Sequence, residues 1–268
     1  MTSTAAPAAV SVAPFCDPLS HEPLWADRTV ADGATVLQTP SGRCFPIRDQ
    51  IAIFIEPSDV TGLNLWQQRF YDRLAPWYDL ASAVHVRVSR AARRWREEYL
   101  EELAVPAGSR VLEVSVGTGA NIVRLPPVEY FGLDLSWGML KQCRRKLRGR
   151  TGVTLCQGLA ERLPFEDNAF DVVFHVGAIN HFVEKRRALA EMVRVARPDA
   201  RLLVVDATEQ FASRYRSTPI LRALYSRLPS AACVPEQLLP EDVRDVRVRT
   251  IADGELYCLS FAKRATMR

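Results

Sequence analysis

Between Arg110 and Ala207 five apolar stretches, RVLEVS, EYFGLDL, VTLCQG, FDVVFHV and ARLLVVDA, recur at regular intervals. Strands in which nearly every position is apolar are buried on both faces, and such strands belong to parallel sheets covered by helices on both sides. The intervening segments fit that arrangement: NIVRL, the basic MLKQCRRKLRG, a short helix near Leu159 to Arg162, and KRRALAEMVRVA. The alternation therefore predicts βαβ units in an α/β, doubly wound sheet. Downstream, VRVRTIADGELYCLSFAKR reads as two strands joined at Asp253-Gly254, a hairpin signal. The sheet is expected to be mostly parallel with an antiparallel hairpin at its C-terminal edge.

The rest of the chain divides around that core. Residues 1–14 read as a tail and 15–60 as a small β-rich module containing ATVLQT and RCFPIRDQIAIFI. Pro57 to Asn64 reads as a linker into one α/β domain over 64–268. That domain opens with lead-in helices over 64–104, LWQQRFYDRLA and LASAVHVRVSRAARRWREEYLEELA, which a break near Pro76 is expected to separate. A long segment over 209–240, with Phe211, Tyr215 and Tyr225, is a candidate lid over an apolar or aromatic small molecule.

No apolar run approaches the roughly 20 residues that span a bilayer. The first residues lack a basic segment followed by an apolar core, so a cytoplasmic protein without a membrane span is expected. Six scattered cysteines with no CxxC pair suit reduced thiols. A net charge of +4 permits nucleic-acid binding without indicating it.

The ligand signal lies at the end of the first strand of the alternation, in VLEVSVGTGAN. Ligands of doubly wound sheets sit at the carboxyl ends of strands, held largely by the first β–α turn. A dinucleotide site wants G-x-G-x-x-G/A there. Gly117 and Gly119 fit the first two positions, but Ile122 takes the third, and Glu113 lies where two phosphates would be repelled. A ligand with a cationic part and no phosphate, such as S-adenosylmethionine, meets neither objection. The glycines let the backbone approach it closely. Asp134, at the end of the second strand, is placed to accept hydrogen bonds from both ribose hydroxyls.

With those residues in view, the sequence resembles the class I S-adenosylmethionine-dependent methyltransferases of methyltransferase type 11, the subgroup that includes the ubiquinone/menaquinone C-methyltransferases. The resemblance spans about residues 68 to 263. FYDRLAPWYDL resembles the family's lead-in helix, VLEVSVGTGAN its first motif, GLDLSWGML its second, and QGLAERLPFEDNAFDVVF its third and fourth; RVARPDARLLVVD resembles a pattern more often seen as RVLKPGGRLLIVD. It implies a Rossmann-like fold and cofactor contacts from Tyr71, Tyr78, Glu113, Ser115, Gly117, Thr118, Gly119, Asn121, Asp134, Leu135, Met139, Gly158, Leu159, Ala160 and Val176. The product would be S-adenosyl-L-homocysteine. Three positions depart from the pattern. Ser115 replaces a glycine; Leu159 stands where an acid commonly holds the adenine amino group, leaving that role to backbone between Gly158 and Glu161; and Pro198-Asp199-Ala200 replaces Pro-Gly-Gly.

Methyl transfer needs alignment of the nucleophile and, for some acceptors, removal of a proton. The loop HVGAINHF offers His181 as a candidate base and Asn180 beside it, whereas His175 lies within the strand pattern and reads as core. An Asn-Pro-Pro-Tyr type motif for amino-group methylation is absent from the sequence. FCDPLSHEPL with SGRCFPIRDQIAIFI resembles a zinc-ribbon-like module, but Cys16 and Cys44, with His21 a poor third, fall short of four ligands, so no metal is expected. The leading reading is a methyltransferase acting on a small-molecule acceptor, with a homodimer left open. A methyltransferase acting on an rRNA or tRNA base is the alternative, although nucleic acid is not the expected partner: acids such as Glu97, Glu98, Glu101 and Glu102 balance one arginine cluster. A non-enzymatic cofactor-binding protein is a third.

Overall fold

The computed structural model describes residues 10–27, 35–88, 90–216 and 233–265. Five short strands come first: β1 (Val10–Cys16), β2 (Pro23–Asp27), β3 (Val36–Gln38), β4 (Cys44–Arg48) and β5 (Ile51–Ile53). Helices α1 (Gly62–Val88) and α2 (Arg90–Leu103) follow. The expected alternation then appears as β6 (Arg110–Val114), β7 (Glu129–Asp134), α3 (Trp137–Lys146), β8 (Val153–Gln157), β9 (Phe170–Val176), α4 (Lys185–Val195) and β10 (Ala196–Ala207). A helix α5 (Glu209–Arg216) and the hairpin β11 (Val243–Ile251) and β12 (Leu256–Lys263) complete the described chain.

All twelve strands join one sheet in the order β1-β2-β3-β4-β5-β8-β7-β6-β9-β10-β12-β11. β6 is flanked by parallel β7 and β9, and β12 lies antiparallel to β10. Neighbouring residues of a strand face opposite sides, so each apolar run feeds two cores. Leu112, Val114, Leu133, Val173, Leu202 and Val204 pack on one face with Leu189, Met192 and Val193 of α4. Val111, Tyr130, Leu155, Val172, Phe174 and Leu203 pack on the other with Tyr99 and Leu103 of α2 and Leu140 and Cys143 of α3.

The N-terminal strands extend this sheet. β5 runs parallel to β8, with Ile51 opposite Leu155, and β4 to β1 form an antiparallel meander beyond it. β1 begins at Val10, inside the stretch read as tail. Phe15 stacks on Phe165 at 5.3 Å between centroids and meets Phe131 edge-on, so this unit and the parallel sheet share one core cluster. Cys16 is buried, which pushes its thiol up to about 12, whereas Cys44 is exposed. Among the described residues no three His, Cys, Asp or Glu converge as metal ligands.

Three local expectations are corrected. α1 runs through Pro76 without a break. The ring lies on the exposed side of the helix, and the missing N–H removes only the bond to the carbonyl of residue 72. NIVRL is a single 3-10 turn, Ile122–Arg124, cut short by Pro126 and Pro127, so the first crossover has no α-helix. The segment at Leu159 to Arg162 is a tight turn closed by the Arg162 N–H on the Leu159 carbonyl at 3.1 Å. The Pro198-Asp199-Ala200 stretch needs a left-handed residue, which Asp199 supplies at φ +64° while its carboxylate pairs with Arg244 of β11 at 2.7 Å. Of the candidate lid over 209–240, residues 217–232 lie outside the described residues, as do the side chains of Tyr215 and Tyr225.

Because the N-terminal strands share the main core, Phe15→Ala is expected to destabilise the whole protein by about 3 kcal/mol in a single cooperative transition. Denaturant unfolding followed by tryptophan emission and by circular dichroism checks this; a separate early transition would mark an independent unit.

Candidate active site

The turn after β6 carries three consecutive left-handed requirements at alternate positions: Ser115 at φ +60°, Gly117 at +55° and Gly119 at +72°. For serine this conformation costs about 1–2 kcal/mol, the physical reason a glycine is common there. At Gly117 a Cβ would meet nothing within 4 Å, so the space beside its Cα is open to a ligand. Gly119 differs, since a Cβ there would come 2.6 Å from Cys143 Sγ of α3. It is required by packing.

Asp134 splices this turn to the next strand. One carboxylate oxygen accepts the Gly117 N–H and the other the Ser136 N–H, both at 2.8 Å. Burial pushes its pKa up to about 6 against those hydrogen bonds. Each oxygen retains a second lone pair, so two further donors can be accepted.

α1 is fastened across the turn by two aspartates a helical repeat apart. Asp72 Oδ1 accepts from the Ser136 hydroxyl and the Gly138 N–H, both at 2.7 Å. Asp79 accepts from the Thr118 hydroxyl at 2.6 Å and pairs with Lys146 at 2.7 Å. Gln68 reaches the Leu135 carbonyl at 3.3 Å, and Gln67 the His181 carbonyl at 2.8 Å. The result is a cavity of about 760 Å³, counting its open mouth, between α1 and the carboxyl ends of β6 to β9.

Of the residues singled out in the sequence, Tyr71, Tyr78, Ser115, Gly117, Asp134, Leu135, Met139, Gly158, Leu159, Ala160 and Val176 line this cavity together. Glu113, Thr118, Gly119, Asn121, Asn180 and His181 do not. Glu113 points from mid-strand into the α2–α3 core, 2% exposed. Its oxygens accept from Asn121 Nδ2 at 2.6 Å and from the Tyr130 hydroxyl. Asn121 in turn accepts from the Tyr99 hydroxyl at 2.5 Å and from Arg96 at 3.1 Å. Burial raises the Glu113 pKa to about 8, against the pull of Tyr130, Asn121 and Arg96. It braces the turn from below.

Asn180 is also committed elsewhere: its N–H donates to Asp206 at 2.8 Å and its side-chain amide to the Ala207 carbonyl at 2.9 Å. His181 precedes the lining residue Phe182, and burial lowers its pKa although Asp206 opposes the shift. His175 is fully buried. Its Nδ1 bonds the Val114 carbonyl at 2.9 Å and its Nε2 accepts the Ala178 N–H at 3.0 Å, which assigns a neutral ring protonated on Nδ1. Burial takes its pKa down to about 4.

The lining adds residues that the sequence reading missed, including Asn64, Gln67, Gln68, Glu161 and Phe182. Counting back from Tyr71 and Tyr78 by helical steps would have found the first three. Glu161 is buried, burial raises its pKa, and its Oε1 has no hydrogen-bond partner among the described residues. Two acidic residues, Asp134 and Glu161, line the cavity, and among the described residues no lysine, arginine or histidine does.

Residues 112–204 match the profile of a methyltransferase domain. Over 165 residues the chain is 33% identical to the demethylmenaquinone methyltransferase of Renibacterium salmoninarum, covering 60% of this chain and 67% of that protein. Over 104 residues it is 44% identical to phthiotriol/phenolphthiotriol dimycocerosates methyltransferase 1 of Mycobacterium ulcerans, covering 37% of this chain and 38% of that protein. The crystal structure of the [4+2]-cyclase SpnF superposes with a TM-score of 0.58 at 20% identity, over 75% of this chain and 96% of the other, a likeness of fold alone.

A buried acid with its pKa raised to about 8 adds stability at low pH that is lost as the pH rises through that value. Wild type is therefore expected to lose stability relative to Glu113→Gln by about 1.4 kcal/mol per pH unit between roughly pH 5 and 8. Denaturation midpoints across that range measure it, and parallel curves for the two proteins would contradict the brace described above.

Proposed function

This chain belongs to the S-adenosylmethionine-dependent methyltransferases, and from that premise we propose that it methylates an uncharged, largely apolar small molecule of the quinone or lipid-polyol kind. The observation that carries the reading is the charge of the cavity: two acidic residues line it and, among the described residues, no cation does. Such a cavity favours a sulfonium with a free ammonium group and disfavours phosphate. It also weighs against an RNA base as acceptor, because the flanking phosphates would meet no partner there. The relatives are named for demethylmenaquinone and phthiotriol, and acceptors of those kinds would offer a ring carbon, in the reduced hydroquinone form, or a hydroxyl as nucleophile.

S-adenosylmethionine bound in this cavity supplies a methyl carbon activated by its sulfonium and departs as S-adenosylhomocysteine. Asp134 accepts from the ribose hydroxyls with the lone pairs left free by Gly117 and Ser136. The open backbone at Gly117 and the turn at Ser115 receive the amino-acid end, while Leu135, Met139 and the Gly158–Leu159–Ala160 stretch enclose the adenine. Tyr71, Tyr78, Val176 and Phe182 form the acceptor side and exclude water from it. With cofactor and acceptor bound, the acceptor's nucleophile would take the methyl carbon, the C–S pair would stay with sulfur, and Glu161 would receive the proton released. Glu161 is preferred to His181 as proton acceptor because only Glu161 is among the residues that line the cavity.

Two outcomes are expected. S-adenosylmethionine affinity falls as the pH drops below about 6, by up to tenfold per unit, because protonated Asp134 loses its acceptor capacity; Asp134→Asn binds weakly without that dependence, as calorimetry between pH 5 and 7 can read. In a methyl-transfer assay with reduced demethylmenaquinone-type and alkyl-diol acceptors, Glu161→Gln lowers kcat by about 10²-fold or more, with a much smaller loss of cofactor affinity. Transfer to tRNA or rRNA in preference to these acceptors would sink the acceptor reading, and an unchanged kcat would remove Glu161 as the base.

A further inference from the structure

α1 has a second face with no role in the cavity. Arg69, Arg73, Trp77 and Leu80 fall at successive i, i+4, i+8 and i+11 positions, on one side of the helix, and all four are exposed. Trp77 is 66% exposed and Leu80 62%, among the largest apolar exposures in the described chain. Scattered apolar side chains on a surface need no explanation, but a tryptophan and a leucine adjoining two arginines on one helix face form a pattern.

The charge of this face follows from how α1 is fastened. Its two aspartates, Asp72 and Asp79, are turned toward α3 and the glycine turn, where their oxygens are engaged by Ser136, Gly138, Thr118 and Lys146. Arg69 and Arg73 are left without an ion-pair partner among the described residues. The outer face is thus basic and apolar together, while Tyr71 and Tyr78 of the same helix line the cavity.

That combination matches an anionic lipid surface. Tryptophan prefers the boundary between headgroups and acyl chains, and arginines a few residues away meet acidic headgroups. We propose that the Arg69–Arg73–Trp77–Leu80 face of α1 docks reversibly on anionic membrane, bringing the cavity on the other side of the same helix to the lipid boundary. No helix among the described residues is long and apolar enough to cross a membrane, so the contact is peripheral. The surface would bind lipid whichever acceptor occupies the cavity, so the test needs no acceptor.

The full chain is mixed with phosphatidylcholine vesicles with and without phosphatidylglycerol, and the partition coefficient is read by cosedimentation. Wild type is expected to bind the anionic vesicles, less so at high salt. Arg69→Glu with Arg73→Glu, and separately Trp77→Ser with Leu80→Ser, are each expected to lower the partition coefficient tenfold or more, the order carried by one or two basic groups at such a surface. The Kd for S-adenosylmethionine stays at the wild-type value in both, which shows that the variants are folded. Absence of binding by wild type, or equal binding by both variants, overturns the proposal. So does a wild-type dimer that Trp77→Ser with Leu80→Ser converts to monomer, since a second copy would then be what covers this face.

Discussion

The site depends on one carboxylate. Asp134 holds the Gly117 and Ser136 amides, and thereby fixes the end of β6 against the start of α3. Both amides are drawn from backbone that has no regular partner there, one in a left-handed turn and one at a helix N-terminus. Without the carboxylate the two would be left unsatisfied at about 1–3 kcal/mol each. The same group faces the cavity, so the residue that shapes the turn is also the one best placed to read the ligand. Burial brings its pKa near 6, close enough to neutrality for affinity to feel acid.

Other groups reinforce this splice from every side. Below it, Tyr130, Glu113, Asn121 and Tyr99 form a chain of hydrogen bonds into α2. Beside it, neutral His175 joins the last carbonyl of β6 to the loop after β9. Above it, Asp72 and Asp79 bind α1 down. A turn containing a left-handed serine is tolerable in such surroundings because its conformation is over-determined. The first crossover lacks an α-helix, so no helix dipole is aimed at this turn, in keeping with a ligand that carries no phosphate.

The parallel sheet, its C-terminal hairpin and the position of the cavity were legible because doubly buried strands and turn glycines leave local marks. Pro76 misled because its exposed ring costs a helix little, and NIVRL because two prolines stop a segment whose composition suits a helix. The reading of Glu113 as a ligand group inverted its role. Chemistry suggested a carboxylate near a sulfonium, but strand parity turns residue 113 away from the turn and into the α2–α3 core. Glu161 was passed over because the neighbouring Leu159 looked like the departure that mattered.

Sequence alone therefore determined the α/β sheet, the strand end where the cavity lies, and, through the family's motifs, the cofactor, since each rests on residue type and spacing along a short stretch. Tertiary structure decided which acidic residues line the cavity, that no cation among the described residues does, and that α1 presents an Arg–Trp–Leu face outward while its aspartates turn in. Those facts depend on which side of a strand or helix each residue occupies after packing against elements far away in the chain. Local spacing does not encode them.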